Sequence, residues 1–189
     1  MAGAVMPGAV APAGSGAAIR PFRREDTEAV VALWRRAGLV VPWNDPYRDI
    51  ERKLTVQPEL FLVAEAASAP AGRATGVVGA AMVGYDGHRG WVNYLAVDES
   101  RRREGLGAAI MAEAERLLVE RGCPKLNLQV RSTNEGVIDW YRSLGYEPDH
   151  VVSLGKRLIP DGVGGNDGIG AGRHGVGDAA QQPGTIAQI

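Results

Sequence analysis

Residues 95–108 read Leu95-Ala96-Val97-Asp98-Glu99-Ser100-Arg101-Arg102-Arg103-Glu104-Gly105-Leu106-Gly107-Ala108. An apolar run leads into a basic turn with two glycines, and a long helical pattern follows. In a strand–turn–helix of this kind the first N–H groups of the helix lack partners, and the helix dipole adds positive potential. Phosphate or pyrophosphate suits such a junction. Gly105 and Gly107 carry no side chain to hold a phosphate off the backbone. Two nucleotide motifs are excluded: Ile110 stands where a dinucleotide fingerprint needs a third glycine, and no Gly-Lys-Ser/Thr is present. Plain turn chemistry also uses two glycines at a helix start, so the residues alone leave both readings open.

The second constellation is Asn134-Glu135-Gly136-Val137-Ile138-Asp139-Trp140-Tyr141, followed by Gly145-Tyr146. Asn134 and Tyr141 lie two helical turns apart and share a face. An amide and a phenol so placed suit one extended ligand. Val137, Ile138 and Tyr141 equally make an ordinary buried stripe.

The surrounding patterns say what must position these groups. Ile19–Phe22 predicts a strand, and Asp26 a side-chain cap for a helix with Ala29, Val30, Leu33, Trp34 and Ala37 on one face. Asp45-Pro46 caps a second, short helix. Strands follow at Leu60–Glu65, Thr75–Tyr85 and Trp91–Val97, with a turn at Ala69–Arg73 and a hairpin at Asp86-Gly87. The longest helix runs Leu106–Arg121. Lys125–Val130 is a half-exposed strand, Glu135–Leu144 a helix capped by Asn134 or Thr133, and Val151–Leu158 a last strand. The order β-α-α-β-β-β-α-β-α-β predicts an α/β (α+β) domain with a mixed central sheet flanked by helices.

The chain has 189 residues and a formal net charge of −1. Half of its 26 glycines fall in residues 1–18 and 161–189, which predicts disordered tails around one domain at 19–160. The near-neutral body argues against nucleic acid as a partner. A single Cys excludes a disulfide framework and a Cys-based zinc site. No apolar run reaches the roughly 18 residues of a membrane span, and Pro7 and Pro12 break the N-terminal apolar stretch. A cytoplasmic protein without membrane contact, monomeric or homodimeric, is the expectation.

Arg102-x-x-Gly105-x-Gly107 resembles the acetyl-CoA motif of the GNAT N-acetyltransferase superfamily, and Asn134 through Tyr141 to Gly145-Tyr146 resembles its second motif. The order of elements matches too. The resemblance spans 19–161 and is nearest to the small bacterial YpeA-type proteins. It runs through Trp43-Asn44-Asp45-Pro46, Asp49-Ile50-Glu51-Arg52-Lys53, Tyr85-Asp86-Gly87-His88-Arg89-Gly90, Arg121-Gly122-Cys123-Pro124-Lys125 and Ser153-Leu154-Gly155-Lys156-Arg157-Leu158.

The resemblance implies the GNAT fold and acetyl transfer from acetyl-CoA to a primary amine of a small molecule or a protein, by direct attack and without a metal. The backbone of Leu95, Ala96 and Val97 would lie beside the pantetheine arm, admitted where the strands at 91–97 and 125–130 splay. The N–H groups of Arg103, Glu104, Gly105, Leu106, Gly107 and Ala108 would hold the pyrophosphate, with Arg102 or a neighbouring arginine adding charge. Asn134 would bond the pantetheine, and Tyr141 would stabilise or protonate the leaving thiolate. Some superfamily members carry a basic Glu where Gln129 stands here. That leaves Glu65, Asp86, His88 and Glu135 as candidate bases, and an acyl-CoA-binding protein with little catalysis as the alternative.

Overall fold

The computed structural model describes residues 16–67 and 76–161. Nearly all of both expected tails, and the turn at Ala69–Arg73, lie outside the described residues. The elements are β1 (Ala17–Pro21), α1 (Thr27–Arg36), α2 (Pro46–Thr55), β2 (Phe61–Ala66), β3 (Val77–Tyr85), β4 (Gly90–Val97), α3 (Leu106–Val119), β5 (Leu126–Leu128) and α4 (Glu135–Ser143). The five strands form one mixed sheet in the order β1-β2-β3-β4-β5, antiparallel throughout except for the parallel β4–β5 pair.

Alternation along the strands divides the core between the two faces. Leu62, Val78, Ala81, Val92 and Leu95 meet Leu106, Ile110, Met111, Leu117 and Leu118 of α3. Phe61, Val63, Val77, Ala80 and Tyr94 meet Val30, Leu33 and Trp34 of α1, with Ile50 of α2. Gly79 lets α3 sit close on the sheet: a Cβ there would come within 2.8 Å of Ile110 Cδ1. Among the described residues, no helix is long and apolar enough to cross a membrane.

Three local expectations are corrected. Val151–Leu158 forms no strand. A strand needs a ladder, and the neighbouring β5 is only three residues long; Val151, Val152, Leu154 and Leu158 are 77–91% exposed. Asp26 precedes α1, but its side chain does not cap that helix. Its carboxylate instead accepts two bonds from the Arg20 guanidinium (2.7 and 2.9 Å) and one from the Arg23 N–H (2.8 Å). A buried charged partner outcompetes a neutral helix N–H. Asn134 precedes α4, and its side chain makes no capping bond either. Asp45 does cap α2, accepting from the Tyr47 N–H at 2.9 Å.

Candidate active site

β4 carries two unequal ladders. With β3 it pairs from Gly79↔Val97 to Tyr85↔Gly90. With β5 it pairs only at Gly90↔Leu126, Trp91↔Asn127 and Val92↔Leu128. Past Val92 the strands part, and residues 93–97 have no ladder partner on that side among the described residues. A bulge accompanies the parting: the register with β3 passes from Met82↔Asn93 to Ala80↔Ala96, so β4 holds one residue more. Bulges bend and twist a strand. Tyr94 sits in the bulge at φ +55°, a conformation that costs a non-glycine residue about 1–3 kcal/mol. Its surroundings hold it there: its ring stacks on Trp34 at 4.3 Å, its carbonyl accepts from Trp34 Nε1 at 3.2 Å, and its hydroxyl donates to Asp49 Oδ2 at 2.7 Å.

The open strand runs into the basic turn. Asp98 starts a 3-10 turn at Glu99–Arg101, accepting from the Ser100 N–H at 3.1 Å and the Ser100 hydroxyl at 2.6 Å. Arg103 (φ +65°) and Gly105 (φ +76°) then turn the chain into α3. The first helical bond runs from the Ala109 N–H to the Gly105 carbonyl. Among the described residues, the N–H groups of Arg103, Glu104, Gly105, Leu106, Gly107 and Ala108 find no protein acceptor. A Cβ on Gly105 would meet nothing within 4 Å. Backbone donors in such a turn at a helix start attract anions. Leu95, Ala96 and Val97 are buried in the sheet, and Arg102 and Arg103 are exposed beside the turn. Arg102 lies 3.8 Å from Glu99, and Arg101 Nε donates to Glu104 at 2.7 Å.

α4 borders the opening from the other side. Tyr141 is 3% exposed, and its hydroxyl has no hydrogen-bond partner among the described residues. Burial raises its pKa, so the phenol holds its proton. Trp140 and Tyr146 pack edge-on against its ring at 4.7 and 5.6 Å. Tyr146 donates its hydroxyl to Glu115 Oε1 on α3 at 2.6 Å, which ties the end of α4 to that helix. Asn134, half-buried, precedes α4 with a non-helical backbone (φ −96°, ψ 66°) and does not line the cleft that Tyr141 lines.

A wide cleft runs from Tyr141 and Gln129 past residues 151–159 to Trp43 and Asn44. The four candidate bases do not line it. Glu65 is held by Arg20 Nε at 2.7 Å, two strands away from β4. Asp86 closes the β3–β4 hairpin by accepting the His88 and Arg89 N–H groups, both at 2.7 Å. His88 is exposed in that turn, and Glu135 is exposed at the start of α4. Gln129 is exposed and donates to the Ser153 hydroxyl. Cys123 is half-buried, with Sγ 3.3 Å from the Lys125 carbonyl. Residue types and spacing gave no sign of Glu115, Tyr94 or Asp161 as parts of the site's frame. Their partners lie 31–109 residues away along the chain.

Residues 27–146 match the model of the Acetyltransferase (GNAT) family. The chain belongs to that family. A Sodalis glossinidius acetyltransferase is 51% identical over 144 residues, covering 76% of this chain and 96% of the relative. Among solved structures, Ard1 from Thermoplasma volcanium superposes with a TM-score of 0.57 at 27% identity, covering 69% of this chain and 82% of its own. The ribosomal-protein-S18-alanine N-acetyltransferase from Escherichia coli does so with a TM-score of 0.53 at 25% identity, covering 67% and 75%. In this GNAT acetyltransferase β4 and β5 part after Val92, and the cleft beside them is lined by Gln129 and the buried phenol of Tyr141 but not by residues 95–108 or Asn134.

Proposed function

We propose that this acetyltransferase uses acetyl-CoA as donor and a primary amine as acceptor, with direct attack of the amine on the thioester. The observation that carries the reading is the row of six N–H groups, without an acceptor among the described residues, at the end of the open edge of β4. That arrangement fits a ligand with a pyrophosphate at one end and an amide-bearing arm that completes the sheet edge. The turn from Arg103 to Ala108 would hold the pyrophosphate, Arg102 would add charge, Leu95, Ala96 and Val97 would line the arm, and Asn134 would bond it. Acetyl-CoA supplies an acetyl thioester; as the amine nitrogen bonds the acyl carbon, the C–S bond breaks and the sulfur leaves as thiolate.

Tyr141 is the residue assigned to that thiolate. A phenol kept protonated by burial, with no acceptor among the described residues, can give its hydrogen bond or its proton to sulfur. The attacking amine must lose a proton as well. None of the four expected bases lines the cleft, and of the three carboxylates that do, Glu115 is taken by Tyr146 and Asp149 by Lys125, leaving Glu147, which favours an acceptor that is largely neutral on arrival. An α-amino group, with its pKa about 7.7–8.0, meets that demand better than a lysine side chain at about 10.4. The S18-alanine acetyltransferase of Escherichia coli acts on a group of this kind. Gln129 also supports a second reading, an acyl-CoA-binding protein with weak turnover.

Calorimetry with acetyl-CoA and free-thiol release with a panel of amines test both. The panel holds an alanine-initiated peptide, a polyamine and an aminoglycoside. Binding together with thiol release supports transfer, and binding without release across the panel supports the second reading. No binding at millimolar acetyl-CoA overturns both.

A further inference from the structure

A run of polar contacts joins the C-terminal end of the described chain to the bulge of β4. Asp161 closes the segment 151–160 that walls one side of the cleft. Its carboxylate is 2% exposed and takes both arms of the Arg52 guanidinium, Nη1 at 2.9 Å on Oδ2 and Nη2 on Oδ1. Arg52 Nη1 also holds Asp49 Oδ1, one turn earlier on α2, at 3.0 Å. Asp49 Oδ2 accepts from the hydroxyl of Tyr94 at 2.7 Å. A second contact spans the same gap: Arg157 Nη2 donates to Asn44 Oδ1 at 2.8 Å, and Asn44 lines the cleft.

Two features give this chain of contacts a task. Arg52 is one cation between two carboxylates, so removing it leaves Asp49 and Asp161 facing each other with like charge. A tyrosine stays in the left-handed region only where its neighbours hold it. Two of the holds on Tyr94 come from Trp34 in the core, and its hydroxyl is held by Asp49, with Asn44 also bonding it. The residue that releases β4 from β5 is therefore tied, through α2, to the segment over the cleft. The comparable Arg20–Asp26–Glu65 network lies at β1 and β2, away from the open edge.

We propose that Asp49 and Arg52 are positioning residues that hold the acceptor-side wall and the cofactor-side strand in register, acting through Asp161 on residues 151–160 and through Tyr94 on the bulge. The proposal rests on the acetyl-transfer reading of the cleft. Its consequence is that loosening the wall also loosens the strand, so acceptor binding suffers while the pyrophosphate turn is untouched.

Hydrogen–deuterium exchange and 15N relaxation on the full-length protein test the coupling without an acceptor. Asp161→Asn should raise exchange at Tyr94–Val97 by about tenfold, the size of one lost charge-assisted bond, and raise the backbone mobility of residues 151–160 in 15N relaxation, since that segment has almost no backbone bonds among the described residues for exchange to report on. Arg52→Gln should raise both further, and Asp161→Glu should restore much of the protection. Exchange in α3 should match the wild type in all three, while the acetyl-CoA dissociation constant should rise, because Leu95–Val97 line its arm. With an alanine-initiated tetrapeptide as acceptor, Asp161→Asn should raise its KM about tenfold with little change in kcat. If the wild type does not acetylate the peptide, the exchange and relaxation results decide alone. Loosening confined to 151–160, with Tyr94–Val97 as in the wild type, overturns the proposal. Failure of the wild type to bind acetyl-CoA overturns the functional reading instead, and the exchange pattern still reports on the coupling.

Discussion

The two sides of β4 teach how the slot is made. Toward β3 the ladder runs the length of the strand, and helices cover both faces of it. Toward β5 the ladder stops after three pairs, and α4 buries only Val137 and Tyr141. Unpaired backbone is costly in a protein interior. The open edge persists because the β1–β4 sheet, with α1 and α3 packed on it, is stable enough to carry it. One side of β4 serves stability and the other serves binding, and substitutions should separate the two.

The largest separation is expected at Tyr141. Tyr141→Phe keeps the ring packed against Trp140 and Tyr146 and removes a hydroxyl that has no partner among the described residues. Thiol-release kinetics should show kcat lower by about 10²-fold or more, the usual worth of a positioned acid. Thermal melting should show Tm unchanged or slightly raised, because an unsatisfied buried hydroxyl is itself unfavourable. A fall in Tm with kcat intact would place Tyr141 with the stabilising side.

Ile110→Ala is the converse. Ile110 is fully buried and lies against Gly79 of β3. Urea unfolding should show a loss of about 2–5 kcal/mol, the range for a large core residue cut to alanine. The acetyl-CoA affinity of the remaining folded protein should stay near the wild type. A selective loss of affinity would mean that the packing of α3 tunes the turn as well as the core.

Much of this division is legible in the sequence, because much of it is local. The strand–turn–helix around Gly105 is contiguous, and Asp45-Pro46 announces α2 within two residues. α3 ends at Val119, two residues short of the expected Arg121. Other features depend on partners far along the chain. The alternation in Lys125–Val130 predicts six strand residues, yet only Leu126–Leu128 pair, because β4 bends away after Val92. Val151–Leu158 has strand-forming residues, but residue type does not supply an edge to pair with. Tyrosine favours ordinary strand geometry, so nothing in the residue type announces the left-handed Tyr94. Spacing predicts one face for Tyr141 and Asn134, but Asn134 stands outside the helix, and Tyr141's lack of a partner among the described residues belongs to three-dimensional packing.

A smaller effect is expected at the turn itself. Gly105→Val forces a β-branched residue into φ +76° within the N–H row. The backbone cost is about 1–2 kcal/mol, and calorimetry should show acetyl-CoA affinity reduced tenfold or more. Gly122 also has a positive φ (+74°), with nothing near its Cβ position, and it lies at the far end of α3. Gly122→Val carries the same backbone strain and should leave the affinity intact. Equal losses in the two variants would trace the effect to strain and not to the turn.

The smallest effect should come from pH. The Arg52 guanidinium holds the Asp161 carboxyl down at about 2, helped by the Asp45 N–H and by Arg48. The unfolded carboxyl titrates near 3.9. Because the folded value is the lower one, the contact's contribution is complete above the unfolded value and is lost as pH falls toward 2. The backbone mobility of residues 151–160 in 15N relaxation should therefore rise between about pH 4 and pH 2 in the wild type. In Asp161→Asn it should already be raised at neutral pH and should lack this titration. The Asp26 carboxylate, bound to Arg20 on the stabilising side of the sheet, supplies the contrast. Asp26→Asn should lower Tm while leaving the mobility of 151–160 as in the wild type. If it loosened that segment too, the two sides of β4 would be one cooperative unit, and the separation drawn between them would fail.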